Sequence, residues 1–126
     1  MILNIVLWII QIALAGFFAF AGYIKVAKSI PDLVKMFPWP AEVPAWLVRF
    51  IGVVEIAGAL GIILPQLTGI LPWLTPLAAL GFVVIQVLAI GFHAMRGETR
   101  DTIVLNVVFL ILAALALWGR WPLFAA

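Results

Sequence analysis

The sequence predicts an all-α protein that crosses a membrane four times as a single helical bundle. Hydrophobic residues fill 67% of its 126 positions and charged residues only 10%, against about half and about a quarter in soluble domains. The apolar residues form four long runs, and about 20 helical residues suffice to cross a bilayer. Four such helices use most of the chain, so we expect one transmembrane domain over residues 1–126.

The first transmembrane helix is predicted over residues 1–24, which carry no charged side chain, and Lys25 and Lys28 are expected to end it. A segment rich in proline and charge follows. Pro31 and Asp32 suit the first turn of a helix, because proline needs no N–H there and an acid faces the positive end of the helix dipole. We therefore predict a short interfacial helix, followed by a stiff loop in which Trp39 lies among the lipid headgroups.

The other three transmembrane helices are predicted over residues 45–64, 72–92 and 102–118. The second of them has a surface of small residues that includes Gly52 and Gly58. Small residues let helix backbones approach closely inside a membrane. This surface would serve either the core of the monomer or a homodimer.

The basic residues predict the orientation of the helices. With four spans, one face of the membrane receives most of the positive charge: Lys25, Lys28, Lys35, Arg49, Arg96 and Arg100. The opposite face receives only Arg120. Because basic loops stay in the cytoplasm, we expect both termini on the outer side of the membrane.

A cluster of polar side chains is expected in the half of the bundle next to the basic face. Glu55 lies near the middle of the second helix, where a charge costs from about 2.5 to more than 10 kcal/mol and therefore needs a partner. The candidate partners are polar residues near the helix ends on that side: Lys25, Arg49, His93 and Asn106. Gln11 and Gln86 are deeper amides that would extend the network.

Each member of this cluster also has an ordinary structural explanation. Glu55 could lock helix packing, Lys25 could anchor a helix end at the lipid surface, and amides often join transmembrane helices. Their accumulation on one side favours a functional site, with Glu55 and His93 as candidate catalytic groups. The candidate substrate-binding residues are Lys25, Arg49, Asn106 and Trp39.

The composition argues against several kinds of chemistry. The chain has no cysteine, so disulfides, thiol redox chemistry and cysteine-held iron–sulfur clusters are excluded. A single histidine and one buried acid do not make a conventional metal site, so we expect no metal. Nothing indicates nucleic-acid binding, and no cofactor is evident other than a lipophilic one such as a quinone.

The chain resembles the DoxX-like family of small four-helix membrane proteins over nearly its whole length. The resemblance rests on Gly22-x-x-Lys25, on Arg49-x-x-Gly52-x-x-Glu55-x-x-Gly58-x-x-Gly61 with Leu64-Pro65, on His93 before Arg96-Gly97-Glu98, and on Asn106. It implies a helical bundle in a bacterial inner membrane. The family takes its name from a subunit associated with thiosulfate:quinone oxidoreduction, and some relatives are linked to membrane redox complexes.

Three functions are compatible with these residues. In the first, the bundle binds a lipophilic molecule such as a quinone in a polar pocket and serves a membrane redox process with a partner protein. Glu55 and His93 would then contact its oxygens, and Lys25 or Arg49 would stabilise a developing anion.

In the second, the protein is a stand-alone enzyme, an isomerase or hydrolase, in which Glu55 performs acid–base chemistry and the Trp39 loop acts as a lid. In the third, it is an accessory or transporter subunit whose buried charges are structural or carry a proton.

Overall fold

The computed structural model describes residues 1–37, 39–97 and 100–125, without the side chains of residues 100–102. Pro38 and Glu98, together with the side chain of Arg100, contribute to the sequence predictions but lie outside the described residues.

The regular structure of the described residues is helical throughout. The helices are α1 (Ile2–Ala27), α2 (Ile30–Met36), α3 (Ala45–Thr68), α4 (Leu74–Met95) and α5 (Arg100–Arg120), with short 3₁₀ turns at Trp39–Glu42 and Trp121–Ala125. Four of these helices are long and apolar enough to cross a membrane. The predicted fold class is therefore confirmed, including the short helix between the first two spans. The protein is a multi-pass membrane protein in contact with the lipid bilayer.

The four long helices form a closed bundle. Each packs against the next along the chain, α1 on α3, α3 on α4 and α4 on α5, and α5 returns to α1. Their outer faces carry large apolar side chains such as Ile9, Phe20 and Leu88. In water such a surface would aggregate, whereas in a bilayer it faces the acyl chains.

An aromatic layer fills the centre of the bundle. The rings of Phe18 and Phe82 stack with centroids 4.2 Å apart, and those of Phe17 and Phe109 with centroids 4.0 Å apart. The buried apolar residues that pack with these rings are Ile10, Leu14, Ala59, Ile62, Ala79, Ala113 and Ala116.

The closest approach between two helices occurs where α1 crosses α3, at Gly22 and Gly52. A Cβ atom added to Gly52 would lie 2.8 Å from the carbonyl oxygen of Gly22, and one added to Gly22 would lie 2.5 Å from that of Gly52. Neither position has room for a side chain, because the obstacle is backbone. The small-residue surface predicted from the sequence therefore serves the core of the monomer at this point.

Several helix bounds differ from the sequence prediction, since α4 runs to Met95 rather than 92 and α5 covers Arg100–Arg120 rather than 102–118. Lys25 lies in the last turn of α1, which runs on to Ala27, because its side chain finds a partner inside the bundle. α3 continues through Pro65 to Thr68 and ends at Gly69, whose φ is 74°. Proline has a helical φ and removes only one hydrogen bond, so the helix survives for one more turn, until a glycine adopts the left-handed conformation.

Substituting alanine for Gly52 is expected to force α1 and α3 apart. We expect the free energy of unfolding to fall by about 1–3 kcal/mol, the usual cost of overpacking, measured by unfolding in mixed detergent micelles. Gly91→Ala is the matched control, since a Cβ there meets nothing within 4 Å and helix propensity alone would stabilise it by up to about 1 kcal/mol. Equal stability of the two variants would contradict the close crossing.

Candidate functional site

A buried ion pair between Lys25 and Glu55 joins α1 to α3. The lysine Nζ lies 2.8 Å from Glu55 Oε1, and the two side chains are only 11% and 5% exposed. Each charged residue lies three positions after a glycine of the crossing, Gly22 or Gly52, and so one turn along the same helix face. The glycines bring the helices close enough for the two charged groups to touch.

The direction of the lysine side chain explains how it reaches the interior from a helix end. In a helix, side chains tilt towards the N-terminus, and for Lys25 that direction leads back into the membrane. The long methylene stem therefore carries the ammonium inwards to Glu55. Lys25 is thus the buried partner of Glu55, one of the four candidates that the sequence left open, although the helix does not end before it.

Arg49 binds the end of α1 in this structure. Its Nη1 donates hydrogen bonds to the carbonyl oxygens of Lys25 (2.7 Å) and Lys28 (2.5 Å). These carbonyls have no partner within their own helix, and a cation there also suits the negative end of the helix dipole. Arg49 therefore fixes the backbone that positions Lys25; its role as a ligand contact stays a prediction.

His93 and Gln86 occupy the face of α4 that turns towards the bundle interior. Both are buried, with relative exposures of 9% and 4%, and they lie two helical turns apart. Gly58 of α3 contacts the ring of Phe82. α3 and α4 are antiparallel, so one turn back from Gly58 along α3 corresponds to one turn forward from Phe82 along α4. Glu55 and Gln86 therefore lie at about the same depth.

Gln86 carries a buried polar atom that needs a partner. Within the described part of the chain, no group hydrogen-bonds to its Oε1. A buried amide oxygen without a partner costs about 1–3 kcal/mol. The residue is therefore better suited to binding something than to filling space.

Asn106 lies on α5 and is half-buried. The contact between Leu7 and Gly119 sets the register of α1 against the antiparallel α5. This register places Asn106 near the depth of Phe20, in the same half of the bundle as Glu55. Asn106 therefore lies in the half of the bundle where the sequence predicted it, although its substrate-binding role stays a prediction.

The segment between α1 and α3 covers the ion pair on its open side. We call its aromatic residues, together with Phe92 of α4, the aromatic roof: Phe37, Trp39 and Phe92. Trp39 packs at centroid distances of 6.0 Å from Phe37 and 6.2 Å from Phe92, and the Lys25 ammonium lies 5.9 Å from the centre of the Phe37 ring. An ion pair from Glu42 to Arg96, at 2.5 Å, ties the segment to the end of α4.

A second polar cluster lies at the opposite end of the bundle, and the sequence analysis did not identify it. Arg120 Nε donates to Gln11 Oε1 at 2.7 Å, and its Nη1 donates to Asn4 Oδ1 at 2.8 Å. Gln11 in turn donates to Gln66 and to the carbonyl oxygen of Ile62. The expectation that Gln11 extends the Glu55 network is wrong, because the bundle pairs it with a cation from the far end of α5.

Two apolar grooves run along the lipid-facing sides of α3. One, of about 350 Å³, lies between α3 and α4 and is lined by residues that include Val54, Gly58 and Ile85. The other, of about 420 Å³, lies between α1 and α3. Neither is lined by Lys25, Glu55 or His93, so both suit hydrocarbon rather than a polar group.

These features define a small multi-pass helical membrane protein with a buried ion pair in one half of its bundle. The chain belongs to the DoxX-like family, whose model matches residues 9–116. The resemblance that the motifs suggested is thereby confirmed, and the match includes the ion pair, both residues of the glycine crossing, His93 and Asn106. No curated protein and no solved structure gives a significant match.

Removing one partner of the ion pair is expected to cost more than removing both. Glu55→Leu leaves the Lys25 ammonium buried without a counter-charge, which we expect to lower the free energy of unfolding by about 3–5 kcal/mol. Adding Lys25→Met should restore most of that loss, because the apolar pair has a similar volume. A double-mutant cycle measured in mixed micelles checks this.

Glu42→Gln is the control for that cycle, because Glu42 is 57% exposed and breaking such a pair should cost less than about 1 kcal/mol. If the double variant loses the sum of the two single losses, the pair does not act as a unit.

Proposed function

We propose that the protein binds a lipophilic molecule with a polar ring, such as a quinone, at the Lys25–Glu55 pair when the aromatic roof lifts away from it, and serves a membrane redox process. The observation that supports this proposal is a buried pair of opposite charges beneath aromatic side chains. Family membership agrees with it, since the resemblance implies relatives in quinone-linked redox complexes.

The charged pair offers complementary contacts to a quinone and its reduced form. An ammonium donates hydrogen bonds, so Lys25 would bind a quinone oxygen and stabilise negative charge that develops on it. A carboxylate accepts them, so Glu55 would bind a hydroquinone hydroxyl or take up its proton. Gln86, level with Glu55, would supply a further contact through its unpartnered amide oxygen.

The aromatic roof would hold the ring of the ligand. Trp39, Phe37 and Phe92 are already packed on one another, and offset stacking on such rings adds about 0.5–1.5 kcal/mol beyond burial. His93 adjoins Phe92, with ring centroids 5.7 Å apart, and would contact an oxygen at the edge of the site. The segment from α2 to Glu42 would act as the lid that the sequence predicted.

The tail of the ligand would lie in the lipid-facing grooves along α3. Both are apolar clefts, of about 350 and 420 Å³, that are open along one side, so a hydrocarbon tail in either would stay in contact with the bilayer. Val54 and Ile85, which line the groove between α3 and α4, immediately precede Glu55 and Gln86 in sequence. A ligand would therefore enter from the bilayer rather than from water.

Electrons for a quinone would come from a partner membrane redox protein. The side chains at the ion pair can bind oxygens and move protons, but they cannot donate electrons. The role of this chain would be to present the quinone and handle its protons.

We place the protein in a bacterial inner membrane with its basic face towards the cytoplasm and both termini outside. The reason is the charge bias of the loops, since six of the seven lysine and arginine residues lie on one face. The aromatic roof would then lie on the cytoplasmic side, where the partner would meet it.

Detergent-purified protein is expected to bind short-chain quinones through the charged pair. We expect decylubiquinone or a menaquinone analogue to raise the Tm of the wild type, and the shift to disappear in Glu55→Gln and in the folded double variant Lys25→Met with Glu55→Leu. Thermal-shift assays and native mass spectrometry measure this. A decyl alcohol without the ring controls for binding of the tail.

The matched control variant is Tyr23→Phe, which removes a polar group from a side chain that is 63% exposed and should keep the shift. If the double variant binds quinone as tightly as the wild type, the site lies elsewhere. Conversion of a substrate by the purified protein alone, lost in Glu55→Gln, would favour the stand-alone acid–base enzyme.

Single cysteines test the orientation cleanly, because the natural chain has none. We expect Ser29→Cys, in the connection after α1, to react with a membrane-impermeant maleimide only in inside-out vesicles. Ile70→Cys, which lies in the connection between α3 and α4, should react only from the periplasmic side. The reverse labelling pattern would show that the charge bias does not set the topology.

A further inference from the structure

Arg120 is a buried cation at the end of the bundle opposite the proposed quinone site. Its side chain is 8% exposed, yet its hydrogen bonds go only to neutral oxygens. They are Gln11 Oε1, Asn4 Oδ1 and the carbonyl oxygen of Asn4, at 2.7, 2.8 and 3.4 Å. Amide oxygens solvate the guanidinium but bring no negative charge.

The acidic side chains that the structure describes are engaged at the other end. Glu55 pairs with Lys25, Glu42 with Arg96, and Asp32 lies 4.0 Å from Lys35. The remaining acids, Glu98 and Asp101, belong by sequence to the connection between α4 and α5. Within the described part of the chain, Arg120 therefore has no carboxylate partner.

Other contacts compensate the charge only in part. The guanidinium carbon lies 5.6 Å from the centre of the Trp8 ring, a contact that contributes about 0.5–2 kcal/mol. Arg120 also ends α5, where the helix dipole supplies roughly half a negative charge. Three of its five N–H groups are bonded, so donors and net positive charge remain.

The cluster holds this cation in a fixed position. Gln11 is itself fixed by its bonds to Ile62 and Gln66, and the backbone N–H of Gln66 donates to the Thr75 hydroxyl at 3.2 Å. α1, α3, α4 and α5 all contribute to this network. A guanidinium positioned in this way, with free donors, has the geometry and charge that phosphate recognition uses.

We propose that the Arg120 cluster, formed by Asn4, Trp8, Gln11, Gln66 and Arg120, binds a phosphate group. The phosphate would supply the negative charge that the described residues lack at this end and would accept the remaining N–H groups. It would come either from the headgroup of an anionic phospholipid or from soluble phosphate. The site is independent of the quinone proposal, since it shares no residue with it.

The test uses delipidated full-length protein in neutral detergent and two probes. Binding of phosphatidylglycerol, with phosphatidylcholine as reference, is followed by native mass spectrometry, and binding of inorganic phosphate by thermal shift. Three variants are compared with the wild type. Arg120→Gln removes the cation, Asn4→Asp places a carboxylate against it within the protein, and Lys35→Gln removes one charge at a side chain that is 81% exposed.

We expect the affinity for phosphate to fall by about tenfold or more in Arg120→Gln, the effect of losing a charged hydrogen bond. Asn4→Asp should lose binding to the same extent while raising the Tm of the free protein, because it provides an internal counter-charge. Lys35→Gln should bind as the wild type does. Binding of phosphatidylglycerol alone identifies a lipid headgroup as the source, and competition by inorganic phosphate identifies a soluble anion.

The proposal is overturned if the wild type binds neither probe, or if Asn4→Asp binds as tightly as the wild type. Should Arg120→Gln fail to fold, Asn4→Asp decides the question alone, because it preserves the shape of the side chain and the arginine itself.

Discussion

The architecture depends on the requirement that a charged group buried in a membrane bundle be compensated, by an opposite charge or by hydrogen-bonding oxygens. Lys25 and Glu55 satisfy it only because Gly22 and Gly52 let two backbones meet one turn away. That contact fixes the register of α1 against α3, and Arg49 strengthens it by bonding to the carbonyl oxygens at the end of α1. Gly22-x-x-Lys25 and Gly52-x-x-Glu55 therefore act together. In each motif the glycine lets the two helices come close, and the charged residue three positions later reaches its partner across that crossing.

The polar groups of the bundle are divided between its two ends, and the two ends are built differently. At one end an acid and a base compensate each other under the aromatic roof, so the net charge is small and the surroundings suit a flat, uncharged ring. At the other end a cation rests on amide oxygens and an indole ring, so the net charge is positive. Different chemistry is therefore expected at each end, a quinone at the first and a phosphate at the second.

Much of the fold follows from the sequence, because the bilayer leaves few alternatives to apolar helices of fixed length. The cost of burying Glu55 alone predicts that it has a partner, but the choice of Lys25 over Arg49, His93 and Asn106 depends on the helix crossing. The location of Gln11 could not, because an amide has no obligatory partner and its depth alone does not say which helix it meets. The partners of Arg49 and Arg120 could not be predicted either. Each residue lies at the expected end of the bundle, but its partners depend on the register of helices that are distant in sequence. Whether Glu55, His93 or Trp39 contacts a ligand depends on chemistry that the apolar pattern does not encode.

Stacked Phe18 and Phe82, with the apolar residues buried around them, lie between the two polar ends. The buried side chains of this layer are all hydrocarbon, so they offer no chain of donors and acceptors along which a proton could hop. The layer therefore works as an electrical insulator across the middle of the bundle. If the proposed quinone site takes up or releases protons, this layer would confine that exchange to one side of the membrane, so that the proton gradient is not discharged through the bundle.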